Sequence, residues 1–434
     1  MMKKTAQRNT FTKYLSLFAL IFAGEIIFAL PFHIARFFRP TFLEVFALSN
    51  SELGKIYAIY GIVAMLAYFP GGAIADYISA KKLLIISLLS TSLGGLYLAQ
   101  IPNANMLILL YGYWGMTSIF LFWAAMLKAT REWGDESTQG RAFGLLDGGR
   151  GLIAAITASL AVFLLSQLLP NTLAQSSLQE QTIAFKKVIY FYTFITALSA
   201  SFIWLLLPEI KASGSMTQRP QILQHLNIFK QQSIWLQTAI VVSAYCGYKG
   251  IDYYSIYAVD ILNLDPLDAA SFTAISAYLR PVAAVTAGYL ADRFSASRVI
   301  SISFTIMALS YLVLTMASPL TLNMTLIYLT LIMTFITVFA VRAIYFALLE
   351  ENKVSHHQTG ITIGLISVIG FTPDVFFAPI AGYLLDTYSG IEGYQYLFSL
   401  LMCCALIGMV TSLYLRVGII NKAIVSAIKL NIKS

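Results

Sequence analysis

The chain has 434 residues, of which 58% are hydrophobic and 11% charged, with a formal net charge of +8. An ordinary soluble domain carries roughly 25% charged residues, so this composition excludes a water-exposed globular surface and points to a lipid bilayer. The basic excess needs no nucleic-acid partner, because membrane topology accounts for it.

Apolar stretches of about 20 residues, each able to cross a hydrocarbon core about 30 Å thick, recur along the whole sequence. The first, 14–38, follows the basic stretch MMKKTAQRNTFTK and so has the outline of a secretory signal. It is too long and lacks a small-residue cleavage site, which predicts a retained span. Further spans are predicted at 52–76, 82–100, 105–129, 141–168 and 184–207, and in the second half at 233–261, 268–291, 297–317, 321–348, 359–385 and 392–416. The expected fold is therefore all-α, with about twelve transmembrane helices in two six-helix bundles: residues 1–207 and 233–416. Between them, 208–232 carries Pro, Gly, Ser and several charges and reads as a linker. Its LQHLNIFK portion suits either a short surface helix or a plain loop. Residues 417–434 form a basic tail.

Lysine and arginine set the orientation. Lys3, Lys4, Arg8, Lys13, Lys81, Lys82, Arg131, Arg141, Lys211, Arg219, Lys230, Arg293, Arg298, Lys353, Arg416, Lys422, Lys429 and Lys433 fall on one side of the predicted spans. Arg36, Arg39, Lys55, Lys186 and Lys187 fall on the other. The positive-inside rule then places both termini in the cytoplasm, in a plasma membrane of bacterial inner-membrane type, with a basic face for anionic headgroups. The cysteines, Cys246, Cys403 and Cys404, lie inside predicted spans. They offer neither a disulfide framework nor metal-ligand spacing. No cofactor or metal is expected.

Internal repetition is the most informative pattern. GGAIADYISAKK at 71–82 closes the second span and AGYLADRFSASR at 287–298 closes the eighth, with Asp76 and Asp292 216 residues apart. QGRAFGLLDGGRG at 139–151 and TGITIGLISVIGF at 359–371 open the fifth and eleventh spans in the same way, Gly140 over Gly360 and Gly144 over Gly364. Two halves of one design are the hallmark of transporters whose site lies between repeats near the midplane.

The chain resembles the major facilitator superfamily over its full length. That family's loop after the second span runs Gly, three residues, Asp, then basic residues. Gly72, Asp76, Lys81 and Lys82 match it, with Tyr77 and Ala80 departing, and Gly288, Asp292, Arg293 and Arg298 match more closely. The resemblance implies a gating latch at Asp76 and Asp292. A carboxylate at a helix end can dock on a neighbouring helix N-terminus and release as bundles rock; the bland alternative is a helix terminator that fixes topology. The proline-glycine signature of drug/proton antiporters is absent from the fifth span. The stretch 53–76 loosely resembles the organic-anion and organophosphate branches.

Charges inside spans cost at least about 2.5 kcal/mol on insertion scales and usually have a function. GYKGIDYY at 247–254 holds Lys249 and Asp252, three apart on one helix face. The same offset lays PFHIARFF of the first span beneath it, with His33 opposite Lys249 and Arg36 opposite Asp252. In the organophosphate branch a basic residue in each of these helices grips an anion; Lys249 lies near one such position, and Phe32 or His33 occupies the other. Glu25 falls on nearly the face of Arg36. Asp147 and Arg150 form an i, i+3 pair that serves either gating or packing. Arg280 precedes Pro281, Asp374 follows Pro373, and Lys128 and Arg342 lie nearer the cytoplasmic ends, where snorkelling is the simpler reading. Tyr245 and Tyr248, with Tyr253, Tyr254 and Tyr257, make a tyrosine-rich wall that fits either a solute cavity or helix packing.

The expected protein is a monomeric secondary active transporter, not an enzyme. It moves a small polar solute, anionic or zwitterionic, by alternating access. Substrate contacts are expected from Lys249, Asp252, Tyr245, Tyr248, His33, Arg36 and Arg280. Protons, or another coupling ion, are carried by Glu25, Asp252 or Asp374, and gating falls to the two loop motifs with Asp147 and Arg150. A proton-coupled exporter of amphipathic or cationic compounds and a solute sensor without turnover are the alternatives.

Overall fold

A computed structural model of the chain describes residues 10–133, 139–168, 175–209, 231–317, 323–352 and 356–431. The predicted linker lies outside the described residues apart from its ends. Among the described residues there is no strand. We label the long helices α1 (Phe11–Phe37), α2 (Asn50–Tyr77), α3 (Ala80–Leu98), α4 (Ala104–Trp133), α5 (Gln139–Leu168), α6 (Leu178–Leu206), α7 (Gln232–Gly250), α8 (Leu279–Phe294), α9 (Ala296–Met316), α10 (Met324–Glu351), α11 (Thr362–Thr387) and α12 (Ile391–Asn431).

Among the described residues, nine helices are long and apolar enough to cross a membrane. The segments around α2, α7 and α8 stand where the sequence predicts the second, seventh and eighth spans. They carry Glu52, Lys55, Asp76, Lys249, Asp252, Asp292 and Arg293, which lower their hydropathy. Large apolar side chains such as Leu66, Phe194, Trp204 and Val285 lie outermost, each more than 60% exposed. A bilayer is the solvent that tolerates such a surface.

Local chemistry fixes the helix ends. Ser79 caps α3, Asn103 caps α4 and Asn323 caps α10, each side chain accepting a first-turn N–H, a contribution of about 1 kcal/mol apiece. Helix α6 starts at Leu178, six residues before the hydropathy-based limit of 184, because Ser177 and Glu180 form a reciprocal capping box. At the other end of the chain, α12 stays helical to Asn431, through most of the basic tail.

Several of the described helices depart from regular winding, α4 among them with a π segment over Met116–Trp123, and four of the departures lie beside an ionisable residue. Helix α1 has a π turn over Ala29–His33, where Pro31 lacks the donor an α-turn needs. Helix α7 ends at Gly250 and continues through a 3-10 turn, Ile251–Tyr253, into Tyr254–Asp260. The predicted single helix 268–291 is two, Pro266–Ser276 and Leu279–Phe294, parted just before Arg280 and Pro281. Helix α11 is interrupted between Gly370 and Pro373, next to Asp374.

The chain forms two compact units. One comprises Met1–Leu48, Ile59–Ser215 and Asp265–Ala274; the other comprises Ser49–Ala58, Met216–Leu264 and Ile275–Ser434. The two short exchanged segments, 49–58 and 265–274, are themselves related by the 216-residue repeat offset (265 − 49 = 274 − 58 = 216). In the first unit the core is built from small and aliphatic side chains, Ala19, Leu20 and Ala23 of α1 against Leu83, Leu84, Phe122 and Met126.

Candidate functional site

In the first unit, Glu25 sits at the centre of a buried cluster. The π turn resets the register of α1, so that His33 Nε2 stands 3.3 Å from Glu25 Oε1. From α5, Arg150 Nε donates to Glu25 Oε2 at 3.0 Å, and Asp147 lies 4.0 Å from the same guanidinium. A Cβ at Gly24 would crowd Met126 Sδ at 2.8 Å, while the Arg150 side chain passes at ordinary contact distance. Phe28 and Trp123 face the guanidinium at 5.6 and 5.8 Å, in cation–π range. Glu25 and His33 are almost wholly buried, whereas the Asp147 side chain is 43% exposed. Arg36 is buried on the same helix.

In the second unit, Lys249 occupies the corresponding centre. Its Nζ lies 3.5 Å from Asp252 Oδ2 and 3.1 Å from Asp374 Oδ1 of α11, with its own side chain 2% exposed. Tyr245 donates its hydroxyl to Asp374 Oδ2 at 3.0 Å. Tyr57, from the Ser49–Ala58 segment, lies 5.1 Å beneath the ammonium. Arg342 of α10 stacks on Tyr248, guanidinium carbon to ring centroid 3.7 Å, and lies 5.8 Å from Tyr245. Arg280 is buried at the start of α8.

The two clusters share one plan. Each joins the first and fifth helix of its half by an ion pair, Glu25 with Arg150 and Lys249 with Asp374, and the polarity is reversed between them. A buried ion pair contributes little net stability, but loss of one partner costs about 3–5 kcal/mol. Such a pair is a poor general fastener and a good exchangeable one: a charged solute or a proton can replace one member.

The structure divides the tyrosine-rich wall. Tyr245 and Tyr248 border the charges. Tyr253 donates to the Ala378 carbonyl, Tyr254 bonds Thr334, and Tyr257 packs edge-on against Tyr394 and Phe398, so these three are helix packing. Arg342, read from sequence as a snorkelling residue, stands beside the second cluster on Tyr248 and Tyr245; its signal was the one charge in the apolar run Met324–Ile344. Lys128 donates to the Ala75 carbonyl at 2.8 Å, at the C-terminal end of α2 beside the loop motif.

At the gating positions, Gly72 and Gly288 have no atom within 4 Å of where a Cβ would stand. Asp292 and Arg293 are exposed at the end of α8, and Lys81 and Lys82 open α3. The Asp76 side chain lies outside the described residues.

A membrane chain with no strand among its described residues and two repeat-related helix sets, each with a buried ion pair, is built as a membrane transporter. Comparison with known proteins defines the class further. The chain belongs to the major facilitator superfamily: the family profile, Major Facilitator Superfamily, matches residues 14–371. It is a transporter of small molecules and not an enzyme. Relatives in Escherichia coli (strain K12) include inner membrane protein YqcE, 27% identical over 416 residues covering 93% of this chain and 94% of the relative. Inner membrane protein YihN is 28% identical over 414 residues, covering 92% and 94%. Among solved structures, the nucleoside transporter NupG superposes with a TM-score of 0.68 at 14% identity, covering 93% of this chain and 98% of that one. A bacterial homolog of the human lysosomal transporter Spinster, inward-facing and occupied, gives 0.67 at 12%, covering 93% and 95%. At these identities the structures share the fold.

Proposed function

We propose that this chain is a secondary active transporter that moves a small zwitterionic or anionic organic solute by alternating access, coupled to protons. The observation that carries the reading is the reversed pair of buried ion bridges, Glu25–Arg150 and Lys249–Asp374. Solute recognition falls to the second cluster. There Asp374, 16% exposed, shares Lys249 with Asp252, and Arg342 and Tyr248 stand beside it. A solute carboxylate displaces Asp374 from Lys249 by direct exchange of like for like. A solute ammonium then satisfies the displaced Asp374, so a zwitterion leaves no charge unpaired, which supports a zwitterion over a bare anion.

Coupling falls to Glu25. It is the buried carboxylate in contact with a histidine, the side chain whose ordinary titration lies nearest neutral pH. Protonation of Glu25 releases Arg150 and His33 together, which links proton uptake to the packing of α1 against α5. The two relatives named as inner membrane proteins support a bacterial inner-membrane location, and the lysine and arginine asymmetry supports cytoplasmic termini.

The test is uptake into proteoliposomes from a panel of zwitterionic, anionic and cationic solutes, with and without an imposed pH gradient. Accumulation of a zwitterion or anion only when the gradient is present is the expected result. Accumulation confined to cations, or indifferent to the gradient, overturns the reading.

A further inference from the structure

Helix α2 carries the family loop motif at its C-terminal end, where Lys128 donates to the Ala75 carbonyl, and its N-terminal end is held as well. The first-turn donors can be accounted for one by one. Ser49 N–H donates to Glu52 Oε2 at 2.8 Å and Glu52 N–H donates to Ser49 Oγ at 3.2 Å, a capping box made by the helix itself. Leu53 N–H already reaches the Ser49 carbonyl at 3.1 Å. That leaves Asn50 and Ser51, whose N–H groups have no acceptor on α2. Both are taken by Asp386, at the far end of α11: Asn50 N to Oδ1 at 3.1 Å and Ser51 N to Oδ2 at 2.7 Å. One carboxylate thus closes a helix N-terminus 335 positions away with two charge-assisted bonds, aligned with the positive end of the helix dipole.

The contact beneath is backbone against backbone. A Cβ at Gly54 would collide with the Ala378 carbonyl, and a Cβ at Gly382 would collide with the Asn50 carbonyl. The two glycines, one on each helix, let the α2 and α11 backbones meet directly. When such a joint parts, water can hydrate the two freed N–H groups. Helix α2 itself runs from one compact unit into the other, Ser49–Ala58 in one and Ile59 onward in the next. With 28 residues it is about 40 Å long, so Asp386 holds it at the membrane face opposite the one that carries Asp76.

We propose that Asp386 is a releasable latch on the N-terminus of α2, closing the extracytoplasmic gate, and that the Gly54/Gly382 contact is the bearing on which it opens. The family loop motif and Asp386 then act on opposite ends of one helix. In the second copy of the motif, at the end of α8, Asp292 is exposed, and on α2 the Asp386 contact is made. The proposal rests on the alternating-access reading, but its test needs no solute.

The test uses the full chain in proteoliposomes, with Cys246, Cys403 and Cys404 replaced by serine and a membrane-impermeant maleimide as the probe. One reporter is Leu53→Cys, a fully buried position in the first turn of α2. The other is Gly364→Cys on α11, near the cytoplasmic end, where a side chain meets no atom within 4 Å. Asp386→Ala should raise outside labelling of Leu53→Cys roughly tenfold and lower cytoplasmic labelling of Gly364→Cys, with Asp386→Glu restoring both. Fraying of the helix start alone would raise the first rate without lowering the second, and that result overturns the latch. Unchanged rates at both positions overturn it equally. Variants are compared at equal folded yield. An Asn50→Cys/Asp386→Cys disulfide supplies the converse arm: oxidation should hold Gly364→Cys labelling at its high level, and a fall despite the cross-link also contradicts the proposal.

Discussion

Lys249 gives the sharpest energetic prediction. Its ammonium is 2% exposed and lies 3.1 Å from Asp374 and 3.5 Å from Asp252. With an effective dielectric constant of about 20, each contact is worth about 5 kcal/mol of Coulomb attraction before desolvation is charged against it. Lys249→Gln removes the cation and leaves two carboxylates facing each other, a loss of about 3–5 kcal/mol. Lys249→Gln with Asp252→Asn still strands Asp374, so it should recover only part of that loss. The triple variant, Lys249→Gln, Asp252→Asn and Asp374→Asn, removes all three charges of the bridge together and should unfold close to the wild-type temperature. Thermal unfolding of the purified protein in detergent, monitored at equal protein and detergent concentration, ranks the three. A Lys249→Gln protein as stable as wild type, or a triple variant less stable than the single, would refute the geometry of the cluster.

Further expectations concern separate parts of the chain. Arg150→Met should destabilise by about 3–5 kcal/mol and Arg150→Met with Glu25→Gln by much less, because the pair is lost together; a thermal-shift cycle reads the difference, and additive losses would contradict the bridge. Arg342→Lys keeps the charge but loses the planar stack on Tyr248. It should weaken solute affinity by about 0.5–2 kcal/mol while leaving the unfolding temperature nearly unchanged, as measured by titration once the panel has supplied a solute. Gly382→Ala drives a methyl group into the Asn50 carbonyl and should cost about 1–3 kcal/mol, visible as a lowered unfolding temperature; wild-type stability would mean that α2 and α11 do not touch there.

Much of this was legible in the sequence for a physical reason. Charges are so costly in a bilayer that each intramembrane residue, Glu25, Asp147, Arg150, Lys249, Asp252 and Asp374, stood out without any alignment. The 216-residue repeat further set His33 opposite Lys249. Which charge meets which was not legible. On a regular helix Glu25 falls on nearly the face of Arg36, and with the π turn at Ala29–His33 it meets His33. Pairing of Lys249 with Asp374 joins residues on different helices, which periodicity within one helix does not report. Arg342 sits two residues from the end of its regular helix, Met324–Ile344, and in sequence such a position reads as snorkelling. Asp386 left no trace at all: a carboxylate near a span end is ordinary, and only the fold shows that it takes two N–H groups of α2.

The central claim is that Glu25 couples proton uptake to solute movement. Its most direct test is solute-evoked change of internal pH, read by a trapped pH-sensitive dye in proteoliposomes, for wild type and for Glu25→Gln. Wild type should acidify the lumen as the accumulated zwitterion or anion enters. Glu25→Gln should show no acidification while still exchanging labelled for unlabelled solute across the membrane. Acidification by Glu25→Gln at the wild-type rate contradicts the account.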